Sequence, residues 1–378
     1  MLNIEAFFML KIITRLINFI YSSNFLYFLC LLLFYIGYNY YNPQITHMSN
    51  KVNEQLFDLI KSMSKSEKRY FKVSASKHTL GGENNYVRLF DYLDSATEFD
   101  EKKLFDDFKG EAFLNKFSIA KKRLYDQLLA SLQNYHTHSN KESQVYRMVH
   151  GADILYDKLL YSQAQKVLRS AEKISIKHQF TNAVIEIRRK QKRILEKNMY
   201  VDIELQEIES RQVKDQKYHD QSQFEDALWH VKSKLFMRLN SCGVARTKED
   251  KINYAKIFGE YKKVKSPAEP TFESVYLINH IESAYFFAIQ EKLDAYIVLQ
   301  KNFLLFNDQT IFINEFPERY LSILTNLVYC AEELKFQHES KKYLAAIKTF
   351  EQALSNNLSE DLKVKLFVTI SSIELSML

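Results

Sequence analysis

The sequence predicts an all-α fold in which a chain of helical hairpins follows a small helical domain. The 378 residues contain only 7 Gly and 4 Pro, the residues that most often make tight turns and end strands. From about Lys141 onward, apolar residues recur at spacings of three and four, as in helices with one buried face. A sandwich, a barrel or a doubly wound sheet would need more turns than this chain supplies.

Composition and the absence of known motifs argue against several classes of function. The net charge of +6 is mildly basic and falls short of the clustered charge of a dedicated nucleic-acid binder. The 3 cysteines form no CxxC pair, so neither a disulfide framework nor a zinc site is indicated. The sequence has no Gly-rich phosphate loop, GxSxG elbow, HExxH or EF-hand motif. We therefore expect no enzymatic activity, no cofactor and no metal.

Residues 1–47 form an apolar segment with two interpretations. The run from Phe25 to Tyr38 lies in a longer stretch without Asp, Glu, Lys or Arg and is typical of a membrane span. One interpretation is an inner-membrane anchor at about residues 24–42. The other, which we favour, is that translation starts at Met48 and that the protein is cytoplasmic.

Residues 48–140 predict a small domain of short helices. Ser64 and Glu67 have the spacing of a capping box, and Asp100 is placed to cap a later helix. The longest helix is predicted from about 115 to 136, with one buried apolar stripe. The members of that stripe are Phe117, Ala120, Leu124, Leu128, Leu129 and Leu132.

The basic residues Lys121, Lys122 and Arg123 on this helix admit an alternative function. A basic amphipathic helix after short helices would suit a nucleic-acid-binding regulator, with these side chains against phosphates. Acidic residues between the basic clusters make the domain nearly neutral. We therefore prefer to interpret the three cations as part of a solvated helix face.

Residues 141–378 predict a series of helices that pair into hairpins. The predicted ranges are 141–157, 160–177, 179–198, 200–218, 222–242, 247–264, 270–289, 292–306, 317–334, 336–354 and 359–377. Pairs begin about 38 to 50 residues apart, within or just above the range of helical-hairpin repeats. Between Met148 and Ala171, small residues stand where helices approach, a pattern similar to the tetratricopeptide repeat. We therefore predict a tetratricopeptide-like, right-handed superhelix.

Two surfaces of this region are candidate partner sites. By the repeat alignment, one side of the first helix lines a groove for a protein or peptide. The groove residues are Tyr146, Val149, Asp153 and Tyr156. Arg188, Arg189 and Arg193 are a candidate patch for an anionic partner, together with the cations at 121–123. The alternatives are that the groove residues pack on a neighbouring helix and that the cations form a solvated face.

The carboxyl end predicts an unpaired helix. The range 359–377 has the pattern of the first helix of a hairpin, and it ends on apolar residues where repeat arrays normally carry a polar cap. We expect either a chain that is truncated relative to its relatives or an end that docks on another chain.

Two segments resemble a known family. Leu56 to His78 and Asn85 to Leu93 are similar to uncharacterised bacterial proteins, found chiefly among Bacteroidota, with a helical amino-terminal domain and tetratricopeptide-like repeats. The resemblance begins near Met48 and implies a fold but no mechanism. Proteins with such repeats generally scaffold assemblies or regulate a partner. We expect a non-enzymatic protein-interaction scaffold, with nucleic-acid binding and membrane anchoring as the alternatives.

Overall fold

The computed structural model describes most of the chain after residue 54. The described residues are 55–76, 85–136, 140–201, 203–354, 366–367 and 370–371. They are 83% helical and contain no strand, which confirms the predicted all-α fold. The predicted membrane span, the start at Met48 and most of the helix predicted at 359–377 lie outside the described residues. Within the described ranges, no helix combines the length and the apolar character needed to cross a bilayer.

The chain divides into two compact units, with the boundary between Arg147 and Met148. The helices of the amino-terminal unit are α1 (Gln55–Ser62), α2 (Lys65–Ser76), α3 (Asn85–Ser95), α4 (Glu101–Asp107), a 3-10 helix (Ala112–Lys116) and α5 (Phe117–His136). Helix α5 packs on α1, α2 and α3 through its apolar stripe. In that stripe Phe117, Ala120, Leu124 and Leu128 are buried, whereas Leu129 and Leu132 are partly exposed.

Two predicted helix starts in this unit are confirmed. The backbone N–H of Glu67 donates to the Ser64 hydroxyl at 3.3 Å, and the Glu67 carboxylate accepts from the Ser64 N–H at 2.6 Å. This capping box pairs two backbone groups that would otherwise lack partners at the start of α2. Asp100 accepts from the N–H groups of Lys102 and Lys103 at the start of α4.

The carboxyl-terminal unit begins within α6 (Lys141–Asp157). Its further helices are α7 (Tyr161–Lys177), α8 (Thr181–Lys197), α9 (Leu205–Cys242), α10 (Lys248–Tyr261), α11 (Phe272–Ala288), α12 (Lys292–Asp308), α13 (Ile311–Glu315), α14 (Pro317–Glu333) and α15 (Gln337–Leu354). Helices α10 and α11 begin with capping boxes, at Thr247 with Asp250 and at Thr271 with Ser274. Helix α14 begins at Pro317, as predicted from the sequence.

Helices of this unit pack on their neighbours in sequence. Helix α8 packs on α7 and α9, α9 on α10 and α11, α11 on α12, α12 on α14, and α14 on α15. Residues of α9 contact α11 in the same order along both helices, and α12 runs antiparallel to both α11 and α14, so α9, α11 and α14 run in the same direction. Much of the core lies between α9 and α15, and its fully buried members include Leu228, Leu235, Ile281, Phe306, Leu324 and Ile347. Such pairwise packing is compatible with a repeat array.

Helix α9 corrects the division of this region into helices. The apolar pattern predicted two helices, 200–218 and 222–242, but Leu205–Cys242 is one helix of 38 residues. The residues between the two predicted helices include no Gly or Pro. Gln221, in the predicted gap, is buried, and its side-chain amide donates to the carbonyl of Glu269 at 2.7 Å. A polar residue buried by a specific partner interrupted the apolar pattern without interrupting the helix.

Several hairpins turn without glycine. Helices α6, α7, α8, α11 and α14 are each followed by a non-glycine residue with positive φ, namely Leu159, Gln179, Met199, Gln290 and Lys335. At the first turn, the N–H of Leu160 donates to the carbonyl of Leu155 and the N–H of Leu159 to that of Tyr156, both at 2.9 Å. This pair of bonds is the Schellman motif, and it recurs at the other turns. A left-handed backbone costs an L-residue roughly 1 to 2 kcal/mol, so these turns are strained.

Replacing Leu159 by Gly should therefore stabilise the protein. Its φ is 61°, and its side chain is 71% exposed, so little apolar contact is lost. We expect Leu159→Gly to raise the free energy of unfolding by about 0.5 to 1 kcal/mol, measured by urea denaturation.

The adjacent variant Leu160→Gly is the matched control for this prediction. Leu160 has a φ of −89°, which any residue adopts, so glycine there only adds freedom to the unfolded chain and should destabilise the protein. Equal destabilisation by both variants would contradict the proposed strain.

Candidate functional site

The predicted groove residues lie along α6. They are the exposed Tyr146, the buried Val149, and the partly buried Asp153 and Tyr156. The ammonium of Lys190 in α8 lies 2.8 Å from the Asp153 carboxylate. The guanidinium of Arg193, also in α8, covers the Tyr156 ring at 4.7 Å from its centroid. Asp153 and Tyr156 thus have intramolecular partners, as in the alternative interpretation of this stripe.

Arg188, in the predicted anionic-partner patch, joins three consecutive helices. It donates to Glu172 of α7 at 2.9 Å and to Asp215 of α9 at 2.8 Å. Lys192 lies 2.6 Å from the same Asp215 carboxylate. Burial alone would raise the pKa of Asp215, but hydrogen bonds from Lys192 and Arg188 outweigh it and hold that pKa below its ordinary value. Arg188 is therefore an internal contact of the unit.

Arg189, the next residue of the patch, lies on the solvent side of α8. Its side chain is 70% exposed, and it pairs with Glu186 one helical turn away at 3.1 Å. An exposed pair of this kind contributes little to stability because water and salt screen it. The structure thus separates Arg189 from Arg188 and Arg193, although the three stand within one basic run.

The basic residues of α5 also differ in their surroundings. The Lys121 side chain is 13% exposed, and its ammonium lies 3.8 Å from the Glu101 carboxylate. The same ammonium lies 4.6 Å from the centroid of the Phe117 ring. Lys122 and Arg123 are exposed. Nucleic-acid binding by α5 would rest mainly on these two residues, and it stays a prediction.

A different surface brings together several polar groups whose pKa values are shifted by burial and by neighbouring charges. It belongs to the parallel helices α9, α11 and α14. We call it the cationic face and define it by Trp229 and Lys232 of α9, Glu273 and His280 of α11, and Arg319 of α14. Among the described residues, no three His, Cys, Asp or Glu side chains are grouped as a metal site would require.

One side of α9 brings Lys232 to the face. Glu225, Lys232 and Phe236 are spaced by seven and four residues, so they lie along the same side of the helix. Both ends of this stripe contact α11. Glu225 accepts a hydrogen bond from the Thr271 hydroxyl, and the Phe236 ring centroid lies 5.1 Å from that of His280. Lys232 lies between these contacts and therefore faces α11.

Lys232 is a partly buried cation for which the described residues provide no hydrogen bond or ion pair. Burial lowers its pKa, as does the positive charge of Arg319, while Glu273 acts in the opposite direction. Arg319 itself is paired with Glu273. Its guanidinium also lies 4.8 Å from the centroid of the Tyr276 ring. The face therefore holds one paired and one unpaired cation.

His280 lies beside these cations and is kept neutral chiefly by burial. Burial, and then the charges of Lys232 and Arg319, lower its pKa to about 4. Its ring lies 5.4 Å from that of Tyr276, centroid to centroid. The Nδ1 atom is buried and has no hydrogen-bond partner among the described residues. Such an atom costs about 1 to 3 kcal/mol, and unpaired or strongly perturbed groups concentrate at functional sites.

Trp229, Lys232, His280 and Arg319 were not among the site residues predicted from the sequence. The sequence contains only weak indications that these residues form a site. His280 interrupts an otherwise largely apolar helix, and Lys232 shares a helix side with Phe236. Neither fact shows that the two residues meet, because they stand on different helices.

The Arg188 contacts should matter far more for stability than those of Arg189. Replacing Arg188 by Met leaves Asp215 and Glu172 partly buried with fewer partners, and we expect a loss of about 2 to 3 kcal/mol in the free energy of unfolding. Arg189→Met is the matched control, one residue away, with an expected change within about 0.5 kcal/mol. Urea denaturation measures both, and similar losses would contradict the internal role of Arg188.

His280 should make the fold sensitive to acid. The pKa of His280 falls from 6.5 to about 4 on folding. The unfolded chain therefore binds more protons between these values, and stability falls as the pH drops from about 6.5 to 4. We expect His280 to account for about 2 to 3 kcal/mol of that loss. Denaturation across this pH range should show a smaller slope in His280→Gln, and equal slopes would contradict the assignment.

Comparison of the chain with protein-family models, with curated proteins and with solved structures gave no match. A fold by itself does not determine what a protein does.

Proposed function

We propose that the protein is a non-enzymatic scaffold that binds another protein and acts in the cytoplasm. Its carboxyl-terminal unit would be a tetratricopeptide-like, right-handed superhelix. The pairwise packing of neighbouring helices and the common direction of α9, α11 and α14 support this proposal. In such arrays, equivalent helices of successive hairpins stand side by side and together present one continuous binding surface.

The exposed Trp229 is the observation that carries the proposal. Its side chain is 52% exposed, although burying an indole contributes strongly to stability. Trp and Arg are the residues most enriched among those that dominate the affinity of protein interfaces. Trp229 lies one helical turn from Lys232, so an apolar anchor and an unpaired cation stand together. This combination suits a protein segment with both an apolar and a polar contact.

The proposal predicts that the partner contacts α9 at Trp229. A photo-crosslinking amino acid placed at position 229 in cells should join the protein to one discrete partner, identified by mass spectrometry. With that partner purified, Trp229→Ala should weaken binding more than tenfold, measured by calorimetry.

Ile252 of α10 provides the control position. It is also exposed, at 55%, but it does not belong to the cationic face. Crosslinks from position 252 should be absent or different, and Ile252→Ala should leave the affinity unchanged. Identical products from both positions, or none from 229, would contradict the proposal.

Salt-dependent DNA retention that falls when Lys122 and Arg123 are neutralised would favour the nucleic-acid alternative instead.

A further inference from the structure

The cationic face carries more positive than negative charge, and a bound negative group would neutralise the excess. Of its members, Lys232, Arg319 and Glu273 are charged at neutral pH and give a net charge of +1, because burial keeps the His280 ring neutral. Glu225, on the same stripe of α9 as Lys232, accepts a hydrogen bond from the Thr271 hydroxyl, and burial raises its pKa. Glu273 already pairs with Arg319. Lys232 therefore remains the cation whose charge the described residues leave without a direct partner.

The Tyr276 ring lies against both His280 and Arg319 and places them next to one another. Tyr276 lies one helical turn before His280, with ring centroids 5.4 Å apart, and the Arg319 guanidinium lies 4.8 Å from the same Tyr276 ring. On the other helix, Phe236 lies 5.1 Å from His280. Lys232 is one turn before Phe236 and faces the same helix. Two cations and an imidazole therefore converge from three helices on a partly apolar surface.

The charge balance favours a singly charged oxyanion. One carboxylate would neutralise the net charge of +1, and it would lie against Lys232 without displacing Glu273 from Arg319. A phosphate group, with nearly two negative charges at neutral pH, would be repelled by Glu273. The nearby Trp229 offers apolar contact to the residue beside the carboxylate.

We propose that Lys232, Arg319 and His280 form a binding site for a carboxylate presented by an acidic peptide segment of the partner. This inference rests on the proposed scaffold function and specifies the chemistry that the scaffold recognises. Lys232 supplies the direct charge contact, Arg319 adds a second positive charge, and the neutral His280 ring lies beside the bound anion, which raises its pKa.

The site can be tested with sodium acetate on the full chain, at constant ionic strength maintained with chloride. The ring signal of His280, identified by its loss in His280→Gln, is followed by NMR. We expect a saturable shift and a rise of about one unit in the pKa of His280, since an opposite charge now lies near the imidazole. Acetamide, which has a similar shape but no charge, should produce no saturable shift.

Lys232→Gln should weaken acetate binding at least fivefold. The matched control is Lys234→Gln, because Lys234 is exposed on the same helix and pairs with Glu260 of α10 at 2.6 Å. Lys234→Gln should bind acetate like the original protein. The inference is overturned if acetate produces no saturable shift, if acetamide acts like acetate, or if Lys232→Gln binds equally well. Tighter binding of inorganic phosphate than of acetate would overturn the assignment to a carboxylate.

Failure of this inference is distinguishable from failure of the scaffold proposal. A specific crosslink at Trp229 without acetate binding would overturn the carboxylate site and leave the scaffold in place. Acetate binding without any crosslink at Trp229 would support the site and contradict the scaffold.

Discussion

The carboxyl-terminal unit depends on tight turns that bring each helix back against its neighbour. A single amphipathic helix gains little stability in water, so each apolar stripe must be buried by the next helix. The Schellman turns at Leu159, Gln179, Gln290 and Lys335 reverse the chain within a few residues. Each of these turns holds a non-glycine residue in the strained left-handed conformation. Among these turns, the one at Gln290 lies within the α9–α14 region that forms the cationic face, and it reverses the chain between α11 and α12.

Ion pairs add to the contacts between helices that the turns bring together. Arg188 contacts Glu172 and Asp215 on the helices before and after its own, whereas Arg189 lies in solvent. Adjacent residues of a helix point about 100° apart, so one basic run contributes both an internal clamp and an ordinary exposed surface. The direction in which each cationic side chain points from the helix therefore decides its role. A cation that points inward contacts other helices, and one that points outward is available to a partner.

The helix caps and helix starts that depend on neighbouring residues were predicted correctly from the sequence. The capping box at Ser64 and Glu67, the cap at Asp100 and the helix start at Pro317 each involve neighbouring residues, and all three are confirmed. The turns at Leu159, Gln179, Gln290 and Lys335 contain no glycine at the left-handed position, so no glycine in the sequence marked them. Gln221 gave a false break because its burial depends on a carbonyl 48 residues away. The cationic face was missed for the same reason, since it combines residues from three helices.

The contrast between the two charged clusters of the carboxyl-terminal unit supports a binding role for the face. Around Arg188, cations and carboxylates are matched, and the result is a contact that joins helices. Around Lys232, a partly buried cation and the Nδ1 atom of His280 lack partners among the described residues. A hydrophobic side chain at either position would avoid the desolvation penalty. Departures from good packing of this kind are expected at functional sites, and the carboxylate proposed above would give both groups a partner.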